Sequence, residues 1–139
     1  MSSMDVNRPD IVAEVAALCA GYNDALMHNR VDELVGYFWD SELAIRFGAT
    51  EELYGAEEIN AFRKARVVNF QDRKTVRETT NTFGDSFAIN TIEFSVTVKG
   101  EARHGRQSQV WTRFPDLGWR IVSAHVSNRP VTESQTTSA

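Results

Sequence analysis

The feature that most constrains this chain is a change of hydrophobic period at Arg73. Upstream of it, apolar residues recur at helical spacing; downstream, side chains alternate as in strands. Ile11, Val15, Leu18, Tyr22 and Leu26 recur at intervals of three and four, and Val12 and Cys19 widen the stripe into the apolar face of a helix. Asn7 with Asp10 resembles a cap, Pro9 fits a first turn, and Asn29 suits a left-handed closing residue. A shorter helix carries Val31, Leu34, Val35 and Phe38, and a brief strand, Leu43 to Phe47, runs into Gly48. A third helix begins near Gly55, with Glu57 and Glu58 in its first turn and Arg63, Lys64 and Arg66 in its last. Those charges complement the helix dipole, so a solvated helix end is the expectation for Arg63 and Arg66, the other reading being that they face the mouth of a pocket.

Beyond Arg73, Thr75, Arg77 and Thr79 alternate with Val76, Glu78 and Thr80 up to the turn at Phe83-Gly84-Asp85. Further strands follow at Phe87 to Val98, Arg106 to Phe114 and Trp119 to Ser127, joined by short connections. Helices first and hairpin-linked strands afterwards predict an α+β fold, three N-terminal helices packed on a strongly bent antiparallel sheet. The strand Phe87 to Val98 is apolar on both faces, Phe87 and Ile89 on one and Ile92, Phe94, Val96 and Val98 on the other. One face packs on helices; the other is expected to be covered by a second copy, giving a homodimer through the sheet. The chain is expected to form a single domain over residues 1–128 with a mobile polar tail over 129–139.

A chain of 139 residues buries roughly two thirds of its unfolded surface, enough for one core and one pocket. Fifteen Lys and Arg against nineteen Asp and Glu leave a net charge of −4 without a basic run, which argues against a nucleic-acid surface. The lone Cys19 excludes an intramolecular disulfide and falls on the buried stripe. No His, Asp or Glu set has ligand spacing, so no metal is expected. Met1 to Asp10 lacks the basic-then-apolar pattern of a signal peptide, and the apolar run Ile11 to Leu18 is broken by Glu14 and too short to span a bilayer. A cytoplasmic protein without membrane contact is the resulting expectation.

Three segments in order, Phe47–Gly55 (FGATEELYG), Gly105–Trp111 (GRQSQVW) and Gly118–Ser127 (GWRIVSAHVS), resemble the AtzH-like family. That family, which includes oxalurate-catabolism proteins, is a branch of the nuclear transport factor 2-like (SnoaL-like) superfamily of cone-shaped folds. The resemblance covers roughly Ile11 to Asn128. It implies a small, cofactor-free pocket between helices and concave sheet, and a role in ureide catabolism of the cyanuric acid or oxalurate type. It further implies a small, planar, carboxylated amide or urea as substrate, hydrolysed or decarboxylated. The alternative is a non-catalytic dimeric binding or accessory subunit for an amidase, since the same fold also serves as an association scaffold.

Against that background Arg46 is the most informative residue. Ketosteroid-isomerase relatives carry an acidic base in the equivalent stretch, whereas a guanidinium there speaks against enolisation and offers five fixed donors to a carboxylate. A salt bridge to a helix glutamate, or simple exposure, is the other reading of Arg46. His125 alternates with Ile121 and Ser123 and is either a general acid/base or a half-buried structural histidine. Tyr22 either extends a donor hydroxyl into the cavity or is a core residue with a wetted tip. Ser108, Gln109, Trp111, Trp39 and Tyr54 complete the candidate substrate contacts, structural packing being the other reading of the three aromatic residues. Gln107, Gln109, Trp111 and Arg113 share one strand face and Arg106, Ser108, Val110 and Thr112 the other; periodicity leaves open which is concave. His28 and His104 read as surface residues.

Overall fold

The helical stripe read from the sequence is buried as a single face. In the computed structural model, which describes residues 4–66 and 72–131, α1 (Pro9–Met27) turns Ile11, Val15, Cys19, Tyr22, Ala25 and Leu26 inward. Pro9 occupies the first turn, where a missing N–H leaves no bond unmade. The cap position is Arg8, without a side-chain cap bond. Asn7 does different work from the expected cap: at φ +59° it ties the N-terminal segment to the sheet, its Oδ1 accepting from the Thr82 amide at 2.7 Å. Asn29 takes the left-handed conformation, φ +54°, just past the helix. After α2 (Val31–Tyr37), Phe38 forms a parallel bridge with Ile121.

The short strand is real and has a partner that the sequence pattern did not reveal: β1 (Ile45–Phe47) pairs antiparallel with β2 (Glu52–Tyr54). Gly55, at φ +88°, then redirects the chain into α3 (Ala56–Ala65). The remaining strands, β3 (Lys74–Phe83), β4 (Phe87–Val98), β5 (Glu101–Phe114) and β6 (Gly118–Pro130), form a meander. The sheet order is β2-β1-β6-β5-β4-β3, and within it the β1–β6 pairing is parallel. β5 begins five residues earlier than the sequence pattern indicates, and β6 runs through Pro130, taking up the start of the expected tail. The rest of that tail, residues 132–139, lies outside the described residues. Among the described residues no helix is long and apolar enough to cross a membrane.

One irregularity in the sheet decides what the pocket contains. Along β5 and β6, Trp111 pairs with Ile121 but Val110 pairs with Ser123, so Val122 is an extra residue. Such a bulge reverses the alternation beyond it. Trp119 and Ile121 face the helices, and past Val122 the inward positions become Ala124 and Val126 rather than Ser123 and His125. Trp111, fully buried, centres the core against Tyr37, whose ring meets it edge-on at 6.1 Å. A second cluster on the same sheet joins Ile92, Phe94 and Val96 to Val126.

Candidate functional site

Four arginines reach one cavity from three different local causes. Arg46 pairs with Ala124 on one side and Leu53 on the other; both neighbours pack on the core, so its side chain points to the concave face. Arg63 extends the buried stripe of α3, Ala56–Ile59–Arg63, whose spacings of three and four put a guanidinium where an aliphatic residue is expected. Arg66 follows at the helix C-cap, and Arg73 enters from the residue before β3. With Tyr22 and Leu26 of α1, Phe94 of β4, Gln107 of β5 and Val126 of β6 they line a cavity of about 50 Å³. That is room for roughly three or four water molecules, or the head of one small anion.

The electrostatics are lopsided. Arg46, Arg63 and Arg73 are 5%, 3% and 9% exposed. Arg46 Nη1 donates to Glu51 Oε1 at 3.1 Å, and Arg63 Nη2 donates to the Tyr22 hydroxyl. Aromatic faces cushion the remaining positive charge: Arg46 and Arg66 lie over Phe62 at 5.2 and 5.4 Å, and Arg73 over Phe94 at 4.2 Å. Burial lowers the proton affinity of Arg46, Arg66 and Arg73 below that of a free guanidinium. Neighbouring Arg63 adds to this at Arg46 and Arg66, while Glu51 opposes it. All nevertheless remain cationic, because a guanidinium does not deprotonate in a protein.

Three buried donors in this cavity have no protein acceptor: Arg63 Nε, Arg73 Nη2 and Gln107 Nε2. A buried unsatisfied donor costs about 1–3 kcal/mol, more when charged. Three of them in a cavity whose described lining holds four guanidinium groups and no carboxylate describe a preformed receptor for an acceptor-rich anion. Glu51, half-buried at the edge, is held by Thr50 and Arg46, and these bonds overcome the opposing effect of burial to keep its carboxyl below the usual range. A neighbouring hollow of about 380 Å³ shares Arg66, Phe94 and Val126 with the cavity and continues it along Phe62, Val96 and Val98.

The structure brings two of the expected catalytic residues, Arg46 and Tyr22, to this cavity and removes the third. His125 is exposed on the outer face of the sheet, edge-on to Phe47 at 5.8 Å, because the bulge at Val122 reverses its side. Ser108, its register partner, is exposed on that outer face too. Gln109 and Trp111 lie on the concave face but outside the cavity lining; Trp111 is core. Trp39 stacks on Phe114 at 5.1 Å, outside the cavity lining, and Tyr54 is 57% exposed beside the acidic depression formed by Asp40, Glu42, Glu57 and Glu58. The expected solvated helix end is also corrected: Arg63 is buried, since it continues the stripe of Ile59. That spacing was a readable signal. Arg73 and Gln107 carried none, because their convergence depends on the curvature of the sheet.

A bent sheet closed by three helices around one polar cavity defines the nuclear transport factor 2-like class. An NTF2-like protein of unknown function from Pseudomonas putida superposes with a TM-score of 0.76 at 13% identity, covering 92% of this chain and 93% of that one. Within that class, the AtzH-like family model matches residues 4–131, and this chain belongs to the AtzH-like family. A protein of unknown function of the DUF3225 family from Pectobacterium atrosepticum is 44% identical, with a TM-score of 0.83 and coverage of 90% of this chain and 95% of that one. A cystatin-like fold protein from Burkholderia xenovorans is 38% identical, with a TM-score of 0.87 and coverage of 94% and 100%. No curated protein matches the chain significantly.

Proposed function

We propose that this protein is a cofactor-independent enzyme that binds a small carboxylated amide or urea in the arginine cavity and promotes loss of carbon dioxide from it. The observation that carries the reading is the set of unsatisfied donors on Arg63, Arg73 and Gln107 inside a cavity dominated by guanidinium groups. An acceptor-rich, planar anion is the ligand whose chemistry matches donors of this kind. Hydrolysis by a protein nucleophile has less support, since Cys19 is buried away from the cavity with its thiol pushed up to about 12 by burial, and Ser108 is on the other face.

In an N-carboxylated urea, the bond between the carboxylate carbon and the ureido nitrogen breaks and carbon dioxide leaves. The electron pair stays on nitrogen and spreads into the adjacent carbonyl. Guanidinium donors aimed at that oxygen stabilise the developing charge, about 3 kcal/mol for each well-placed donor. Tyr22 accepts from Arg63, so its own O–H is left to donate. In this scheme it protonates the nitrogen and recovers its proton from solvent. Arg46→Ala is expected to abolish release of carbon dioxide from N-carboxylated ureas while leaving the fold intact; unchanged turnover sinks the reading. Anion binding without any turnover, together with co-purification of an amidase, favours the accessory role instead.

A further inference from the structure

Glu51 is the one carboxylate among the described residues lining either the arginine cavity or the hollow beside it. Its two oxygens are divided. Oε1 accepts from Arg46 Nη1 at 3.1 Å, and Oε2 accepts from the Thr50 hydroxyl at 2.8 Å and the Thr50 amide at 3.3 Å. Gly48 makes this position possible: a Cβ there would fall 1.6 Å from Glu51 Oε1, so the carboxylate lies where any other residue would put its side chain. The pair is also asymmetric, with the Glu51 side chain 20% exposed and that of Arg46 6%. Glu51 thus stands at the rim and Arg46 inside, one lining the outer hollow and the other the cavity.

We propose that Glu51 is the positioning residue that sets the charge of the ligand the cavity accepts. It fixes Arg46 by one nitrogen, leaves the rest of that guanidinium to the cavity, and repels each negative charge a ligand brings. This inference rests on the anion-binding reading of the cavity. Its signature follows from Coulomb's law: repulsion from one fixed carboxylate scales with ligand charge, so removing it strengthens a dianion about twice as much, on a logarithmic scale, as a monoanion. A purely structural role, exercised only through the placement of Arg46, works the other way: its loss weakens a dianion more than a monoanion and lowers the ratio.

The test is isothermal titration of the full chain with formate and with oxalate at low ionic strength and neutral pH. Glu51→Gln is expected to raise the oxalate-to-formate affinity ratio roughly tenfold, and 0.5 M salt is expected to shrink that change. Glu51→Asp, which keeps the charge, is expected to hold the ratio within about twofold. Gly48→Ala displaces the carboxylate without altering any charge, and is expected to move the ratio in the same direction as Glu51→Gln; it carries the test if the glutamine variant fails to fold. Anion binding with a ratio unchanged or lowered in Glu51→Gln, or in Gly48→Ala in its place, overturns the role of Glu51. No anion binding to the wild-type protein overturns the cavity reading itself.

Discussion

Replacing Arg73 by methionine separates the cost of this site from its use. Arg73 is 9% exposed, its Nη2 has no acceptor, and burial disfavours its charge. Its described compensation is the ring of Phe94 at 4.2 Å, worth about 2 kcal/mol when desolvated, together with attraction from Glu78. Against that stand about 1–3 kcal/mol for the unsatisfied donor and several kcal/mol for taking the ion out of water. Methionine keeps an unbranched apolar stem and a favourable sulfur contact with the same ring, and it removes both penalties. The expected balance is a gain of about 1–2 kcal/mol in the ligand-free protein, which for a chain of this length raises Tm by about 3–7 °C. Ligand should act the other way. At a hundred times Kd an anion stabilises the wild-type protein by about 2.7 kcal/mol, and Arg73→Met should lose most of that response. Thermal unfolding of both proteins, dialysed free of anions and then titrated with oxalate, measures both effects. A lower Tm for ligand-free Arg73→Met, or an undiminished response to oxalate, refutes the view that this arginine is kept for binding at the expense of stability.

Tyr22→Phe keeps the ring but removes the acceptor of Arg63 and the donor facing the cavity; carbon dioxide release should fall about 10²-fold or more, with stability reduced by about 1–2 kcal/mol in urea unfolding. His125→Ala should leave turnover within about twofold, since a residue exposed on the outer face is usually replaceable without effect on a distant cavity; steady-state kinetics decide. In Gly105→Ala the new Cβ would fall 2.1 Å from the Phe94 ring, so a loss of about 1–3 kcal/mol is expected, together with weaker anion binding as that ring is pushed against the cavity. Glu51 has a lowered folded-state pKa, so its contribution to stability is present above its ordinary value near 4.5 and is lost as pH falls through the lowered one. Urea unfolding of Glu51→Gln between pH 3 and 7 should accordingly show a shallower acid limb than the wild-type protein.

Much of the fold was legible because periodicity is a local property. The stripe of α1, the break at Asn29, the start of α3 at Gly55 and the four long strands follow from spacing and turn residues, and the structure has them within a few residues. β2 escaped because a three-residue strand with one inward side chain, Leu53, has no period to detect. The site was legible only in part. Arg46 stood out as a charge in an apolar strand and Tyr22 as a hydroxyl on a buried stripe, and both line the cavity. Unbroken alternation put His125 on the side of Ile121 and Ser123, and one extra residue at Val122 turned it to the other face. A bulge of this kind has no fixed sequence signal, because it is set by how two strands register with each other.

By itself, the sequence determined the α+β class, the order of elements, the buried stripe of the first helix and the family to which the chain belongs. These depend on neighbours a few positions apart or on motifs read in line. Only the tertiary structure decided that Arg63, Arg66 and Arg73 join Arg46, that Gln107 faces them with an unpaired amide, and that Glu51 pairs with Arg46 at the rim. A guanidinium on a helix end or before a strand reads as solvated in any local window. It becomes a binding group when sheet curvature and helix packing close over it, remove its water and leave its donors without acceptors.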